Sequence, residues 1–275
     1  MRPAGQRPAA PEEADTAAAG GERIAKLIAR AGLCSRREAE TWIAARRVAV
    51  DGMVPDTPAV RVRPGQRVTV DGKPLPAAEA SRLFRFHKPK GVVTAARDPE
   101  GRPTIYDVLP EGLPRLMPVG RLDLGSEGLL LLTNDGALKR KLELPATGWL
   151  RRYRVRAFGV VDERRLRELA QGATVAGIAY GPVQVRLERT QGDNVWLGVA
   201  LREGKNREVR RVLEHAGLKV NRLIRVAYGP FQLGHLPKRA VEEVSPKVLR
   251  EQLGSALPSA GPRRGGRQPG KGAPA

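Results

Sequence analysis

The chain has 275 residues, with 49 Lys and Arg against 29 Asp and Glu for a formal net charge of +20; 41% are hydrophobic and only 4% aromatic, so a core must be built mainly from Leu, Val and Ala. The charge excess implies a polyanionic partner, nucleic acid before an anionic membrane surface. A single cysteine, Cys34, excludes an intramolecular disulfide or a thiolate metal cluster, no run approaches the ~18 apolar residues of a membrane span, and no apolar leader core opens the chain, so it reads as cytoplasmic.

Residues 1–21 are rich in Ala, Pro, Gly and Glu without periodicity and read as a disordered tail. Residues 22–72 read as a separate small module. Ile24, Leu27, Ile28 and Ala31 follow helical spacing to a stop at Gly32, and Ser35-Arg36-Arg37-Glu38 is a capping box opening a second helix through Ile43. Val48-Ala49-Val50 meets Asp51-Gly52, and Gln66 to Val70 ends in Asp71-Gly72, which predicts two short strands with tight turns. Cys34, at an apolar helix end, is expected in the core. The module carries ten Lys/Arg against six Asp/Glu, with Arg30, Arg36, Arg37, Arg46 and Arg47 clustered in or just after the helices, where they either meet phosphates or form a solvated face. Gly32-Leu33-Cys34-Ser35-Arg36-Arg37-Glu38-Ala39, Arg47 to Gly52 and Pro64 to Val68 together resemble the S4 RNA-binding domain.

Residues 73–82 read as a Pro/Ala linker. From 83 to 253 the pattern is mixed. Strands are expected at 83–87, 91–95, 117–122, 128–133, 152–159, 178–189, 194–202 and 219–227, several of them alternating by twos, as in Tyr153-Arg154-Val155-Arg156. Helices are expected at 136–143, 162–171 (opened by Asp162), 206–216 and 246–253, the last with Ser245 as N-cap and Pro246 at its first position. Strands outnumber helices, which predicts an α+β domain on a largely antiparallel sheet. Residues 254–275 are Gly-, Pro- and Ser-rich, with Arg263, Arg264, Arg267 and Lys271 and no acid, and read as a disordered basic tail.

The chemistry available is narrow. His87, His215 and His235 show no ligand spacing, so no metal site is expected, and no phosphate loop of the nucleotide-binding kind is present, so no cofactor is expected. Ser126 is not in a nucleophile elbow. What remains is Gly120-Arg121-Leu122-Asp123-Leu124-Gly125-Ser126-Glu127-Gly128, which runs into Leu129 to Leu132 and Thr133-Asn134-Asp135-Gly136. On spacing alone Asp123 is either a turn residue or a carboxylate held for chemistry. Three features favour the second. Arg121 would share a face with Asp123 if the strand persisted, and an arginine beside a partly buried Asp opposes the cost of keeping it charged. Gly125 and Gly128 would let a ligand approach the backbone closely. Downstream, Glu203-Gly204-Lys205-Asn206-Arg207-Glu208-Val209-Arg210-Arg211 brings cations to the start of a helix. A positioned carboxylate can act as a covalent nucleophile without a cofactor.

These residues resemble the signature of the pseudouridine synthases that modify ribosomal RNA, the group that joins the type A enzyme for small-subunit RNA with types B, E and F for large-subunit RNA. Further matches lie at Lys88 to Val93, Asp98 to Thr104, Tyr153-Arg154-Val155, Glu203 to Arg211, Arg222-Leu223-Ile224-Arg225 and Tyr228-Gly229-Pro230, so the resemblance runs over 22–245. It implies a pseudouridine synthase domain, following the S4-type module, that isomerises a uridine in folded rRNA. It also implies Asp123 as the catalytic residue, Tyr153 stacking on the target base, Arg210 pairing with Asp123 and Arg121 holding RNA around the flipped nucleotide. Arg36, Arg37, Arg47, Lys205, Arg207 and Arg211 are the remaining candidates for RNA contact. Asn206 to Arg211 and Arg222 to Arg225 are most similar to the type B branch, which implies 23S rather than 16S rRNA, and the chain is expected to act as a monomer. Ser126 stands where Thr is usual, 145–152 departs from the usual segment before the tyrosine, and Arg239 stands where Gly is frequent. The competing reading is a non-catalytic RNA-binding ribosome-assembly factor on the same fold.

Overall fold

In the computed structural model, which describes residues 20–254, the chain divides between Glu79 and Ala80. The tails expected at 1–21 and 254–275 lie, apart from Gly20, Gly21 and Gly254, outside the described residues.

The first unit holds β1 (Glu22–Arg23), α1 (Ile24–Arg30), α2 (Arg36–Ala44), β2 (Val48–Val50), β3 (Arg61–Val62), β4 (Val68–Val70) and β5 (Lys73–Pro74). The capping box forms: the Glu38 amide donates to Ser35 Oγ at 3.1 Å, and the Ser35 amide to Glu38 Oε2 at 3.4 Å. Both Asp-Gly turns form, with Asp51 and Asp71 in the left-handed region at φ 50° and 49°, a conformation Asp tolerates. Ile24, Ile28, Ala39, Ile43, Val48 and Val68 bury a small common core that includes Cys34. Each fully buried aliphatic side chain contributes about 1.5–3 kcal/mol. The ladder runs on into the stretch read as linker. Lys73 and Pro74 pair with β4, and Leu75 packs on the core.

The second unit holds β6 (Leu83–Lys88), β7 (Met117–Val119), β8 (Glu127–Thr133), α3 (Gly136–Glu143), β9 (Arg151–Phe158), α4 (Glu163–Leu169), β10 (Ala173–Val175), β11 (Ile178–Tyr180), β12 (Val183–Gln191), β13 (Asn194–Leu201), α5 (Glu208–His215), β14 (Lys219–Tyr228), β15 (Phe231–Gln232), β16 (Val241–Glu243) and α6 (Pro246–Leu253). Its sheet runs β12-β13-β9-β14-β8-β6-β16, with β7 and β15 alongside β8 and β14; only β14 and β8 pair in parallel. Its start is tied down where a linker was expected. The Arg82 amide donates to Asn134 Oδ1 at 2.8 Å, the Arg82 guanidinium to Glu243 at 2.7 Å, and the Ser81 hydroxyl to Asp135.

The central strand β8 is buried along its whole length, which is why it reads as a continuous apolar run. Leu130 and Leu132 join one core with β9, β13, α4 and α5. Leu129 and Leu131 join a second, capped by Leu138 and Leu142 of α3 and by Leu249 and Leu253 of α6. α6 starts as expected, with Ser245 Oγ accepting from the Val248 amide and Pro246 at the first position.

Four expected elements differ. The strand at 91–95 is a loop. Val93 bonds across only to Pro103 and Ile105, and Thr94 Oγ1 donates to the Leu122 carbonyl at 2.8 Å, so its apolar residues bury without a ladder. The strand at 117–122 stops at Val119, because Gly120 turns left-handed at φ 67°. The strand at 178–189 breaks at Gly181-Pro182, since proline cannot donate to a ladder; β11 pairs with β10 instead. The helix at 206–216 begins at Glu208, because Arg207 is left-handed at φ 51°.

Candidate active site

A cleft of about 590 Å³ opens in the second unit where β8, β9 and β14 meet the loops at 120–126 and 204–208. The 120–126 loop leaves β7 and returns into β8. β7 and the middle of β14 share one side of β8, β7 at 131–133 and β14, through Ile224 and Arg225, at 127–128, so the loop emerges between them.

Lys88 fixes this loop. The side chain is fully buried at the end of β6 and donates to three carbonyls: Pro89 at 3.1 Å, Asp123 at 3.2 Å and Ser126 at 2.9 Å. The Ser126 amide closes the turn onto the Asp123 carbonyl at 2.9 Å, and the Gly91 amide reaches the Leu124 carbonyl at 2.8 Å. With its backbone so held, Asp123 is half-buried, and its carboxylate makes no hydrogen bond or ion pair with any described residue. Around it the cleft is lined by Tyr153, buried at the start of β9, and by Arg121, Lys205 and Arg207.

The expected site residues therefore separate. Asp123, Tyr153, Arg121, Lys205 and Arg207 share the cleft. Arg121 does not reach it as a strand neighbour of Asp123, since the strand has ended; it is exposed. Arg210 is brought to the loop but does not pair with the carboxylate. Its Nη1 donates to the Val220 carbonyl and its Nη2 to the Gly125 carbonyl, each at 2.9 Å, and its charge reaches Asp123 through space. Arg211 turns to the Tyr180 hydroxyl at 3.3 Å. In the first unit Arg36 and Arg37 are exposed, and Arg47 is clamped by Asp71 at 2.9 and 2.6 Å while stacked on Trp42 at 4.9 Å. Gly128 does not admit a ligand: its neighbour is the backbone of Arg225. The Gly125 Cβ direction meets Arg210 at 3.5 Å.

Residues without an assigned role in the sequence complete the setting. Glu127 is buried beside the loop; burial alone would raise its carboxyl, but Arg222 and Lys238 hold it below the usual range. Arg225, buried in β14, donates to the Leu129 carbonyl at 2.7 Å. The departure at 145–152 has a packing reason: Trp149 lies edge-on to Tyr228 and Phe231 at 5.8 and 5.9 Å. Arg239 takes φ 68°, which explains why a smaller residue is frequent there.

Burial lowers the Lys88 ammonium to about 8, while the charge of Asp123 pulls it back up. Between about 8 and its ordinary 10.5 the unfolded chain keeps a proton that the folded chain has lost, so global stability rises with pH across that window. The neutral amine, however, has two N–H groups for three carbonyls, so the loop loosens. We expect activity to fall above about pH 8 while the melting temperature does not fall with it. Lys88→Met should lose the alkaline limb and sit about 10²-fold lower throughout, the scale of a slightly misplaced catalytic group. Rates and melting curves across the same pH series check this.

The RNA pseudouridylate synthase family profile matches residues 82–215, and the S4 domain profile residues 22–68. A protein of Rickettsia bellii named as an uncharacterised RNA pseudouridine synthase is 45% identical over 229 residues, spanning 83% of this chain and 99% of that one. The ribosomal large subunit pseudouridine synthase B of Salmonella typhi is 42% identical over 219 residues, 77% of this chain and 75% of that one. Among solved structures, one described as a pseudouridylate synthase superposes with a TM-score of 0.58 at 25% identity, covering 84% of this chain and 98% of that one.

Proposed function

Because the chain belongs to the RNA pseudouridine synthase family, isomerases that act on uridine in RNA, we propose that it converts a uridine of 23S rRNA to pseudouridine, with Asp123 as the catalytic group. The observation that carries the assignment is a carboxylate without a partner among the described residues, in one cleft with Tyr153 and with Arg121, Lys205 and Arg207. A carboxylate already spent on an ion pair would be a poor nucleophile or base.

The target base must leave its stack, at a cost of a few kcal/mol that is smallest in a loop, and stacking on the Tyr153 ring returns about 1–3 kcal/mol. Arg121, Lys205 and Arg207 take the flanking phosphates. Asp123 then either attacks C1′ or removes the C2′ proton, breaking the N1–C1′ bond. The freed uracil turns and C5 bonds to C1′, displacing the Asp123 carboxylate on the first route or with the proton returned to C2′ on the second; C5 loses its proton and N1 gains one, so no outside reactant is consumed. Arg210 acts as a positioning residue, holding the loop through Gly125 and setting the field at Asp123. The S4 unit adds grip on RNA through Arg36 and Arg37, with Arg47 reinforcing its fold. The substrate places this work in the cytoplasm.

Release of tritium from C5-labelled uridine tests this. We expect release from a 23S transcript and none from a 16S transcript. Release from 16S alone would move the assignment to small-subunit RNA, and release from neither would remove the proposed substrate.

A further inference from the structure

β9 presents two faces. Tyr153, Val155 and Ala157 point to the core and cleft side, while Arg152, Arg154 and Arg156 are exposed on the other. On that second face α3 and α6 cover the part of the sheet around β8, and their shared core does not extend to β9, β13 and β12. Register aligns the exposed side chains in rows. Arg189, Trp196, Arg156 and Arg222 lie side by side across β12, β13, β9 and β14, and Arg186, Gly198 and Arg154 form the next row.

Like charges set directly opposite across strands repel, and Arg156 lies opposite Arg222, whose own charge is engaged by Glu127. The acid in these rows, Glu188, is already bound to Arg154 at 3.1 Å. Arg152, Arg156, Arg186 and Arg189 have no hydrogen-bond or ion-pair partner among the described residues. At the centre the Arg154 guanidinium stacks on Trp196 at 4.6 Å, leaving a planar cation on a half-exposed indole. Alternate residues on a strand are roughly 7 Å apart, a step comparable to that between successive phosphates of an extended RNA strand. Planar arginines and aromatic faces also stack unpaired bases.

We propose that this arginine-lined face of β9, β12 and β13 binds an extended stretch of the substrate RNA outside the catalytic cleft. The proposal rests on RNA being the substrate, and deepens that reading: β9 would be read from both sides, with the strand passing around the exposed edge at β12.

The test is binding of a full-length 23S transcript, measured against salt in an Asp123→Asn background so that turnover plays no part. Arg156→Glu with Arg189→Glu should weaken binding about tenfold or more and flatten the salt slope by about 1.4, the loss of two phosphate contacts to a single strand. Arg156→Gln with Arg189→Gln, which cannot recruit new ion pairs, should give a smaller loss of the same kind. In otherwise wild-type protein the Glu pair should leave turnover at saturating RNA unchanged, and ultraviolet cross-linking should attach nucleotides to the segments 151–158 and 183–201. Unchanged affinity and slope would overturn the proposal, as they would if the face served a protein partner; so would weakened binding without any cross-link to those segments. If the wild-type protein forms no pseudouridine while these variants still weaken binding, the face stands and the activity assignment falls.

Discussion

Replacing Asp123 with asparagine should abolish pseudouridine formation while RNA binding and folding persist. The side chain keeps its shape and loses its charge. The Asp123 carboxylate has no hydrogen-bond or ion-pair partner among the described residues, so no buried network is broken. The loop is held by backbone groups, the carbonyls of Asp123 and Ser126 on Lys88 and the Ser126 amide on the Asp123 carbonyl, and asparagine keeps all of them. Attack at C1′ and removal of the C2′ proton both need the carboxylate. The expected loss of turnover is on the order of 10⁴-fold or more, the scale of removing a central catalytic group. Single-turnover rates with a saturating transcript measure it, and gel-shift affinity controls for binding. A variant that turns over at the normal rate would show that the free carboxylate is only a feature of the loop.

The second large effect is on stability. Gly128 sits at φ 107°, where β8 passes β14 in parallel register with Arg225. A Cβ there would lie 2.4 Å from the Arg225 carbonyl oxygen and 2.7 Å from its nitrogen, and both are backbone atoms that cannot turn aside. Gly128→Ala must therefore part the two strands at the base of the cleft and disturb the bond from Arg225 to the Leu129 carbonyl. With the strained backbone added, we expect a loss of about 3 kcal/mol or more, read as a lower urea midpoint of the second unit. A midpoint equal to wild type would mean that the strands can separate freely there.

Local chemistry was the most legible part of the chain. The capping box at Ser35, the two Asp-Gly turns, Asp162 and Ser245 as helix caps and the alternation along β9 each depend on neighbours in sequence, and each forms. What stayed hidden depends on distant partners. Lys88 reads as an ordinary charged residue at a strand end; only the fold gathers three carbonyls around it. Gly128 reads as room for a ligand and is in fact room for a neighbouring strand. Arg210 was placed beside Asp123 by resemblance, yet its hydrogen bonds go to backbone carbonyls of two separate segments. β15 and β16, at two and three residues, are too short to show a period of two.

Delivery of one uridine of 23S rRNA to Asp123 underlies every step proposed above. Mapping pseudouridine across the rRNA of cells with and without this chain tests it most directly. A 23S position modified in the first should be plain uridine in the second, and Asp123→Asn should fail to restore it. Full modification of rRNA in the absence of the chain would rule out this activity and favour a ribosome-assembly role for the same fold.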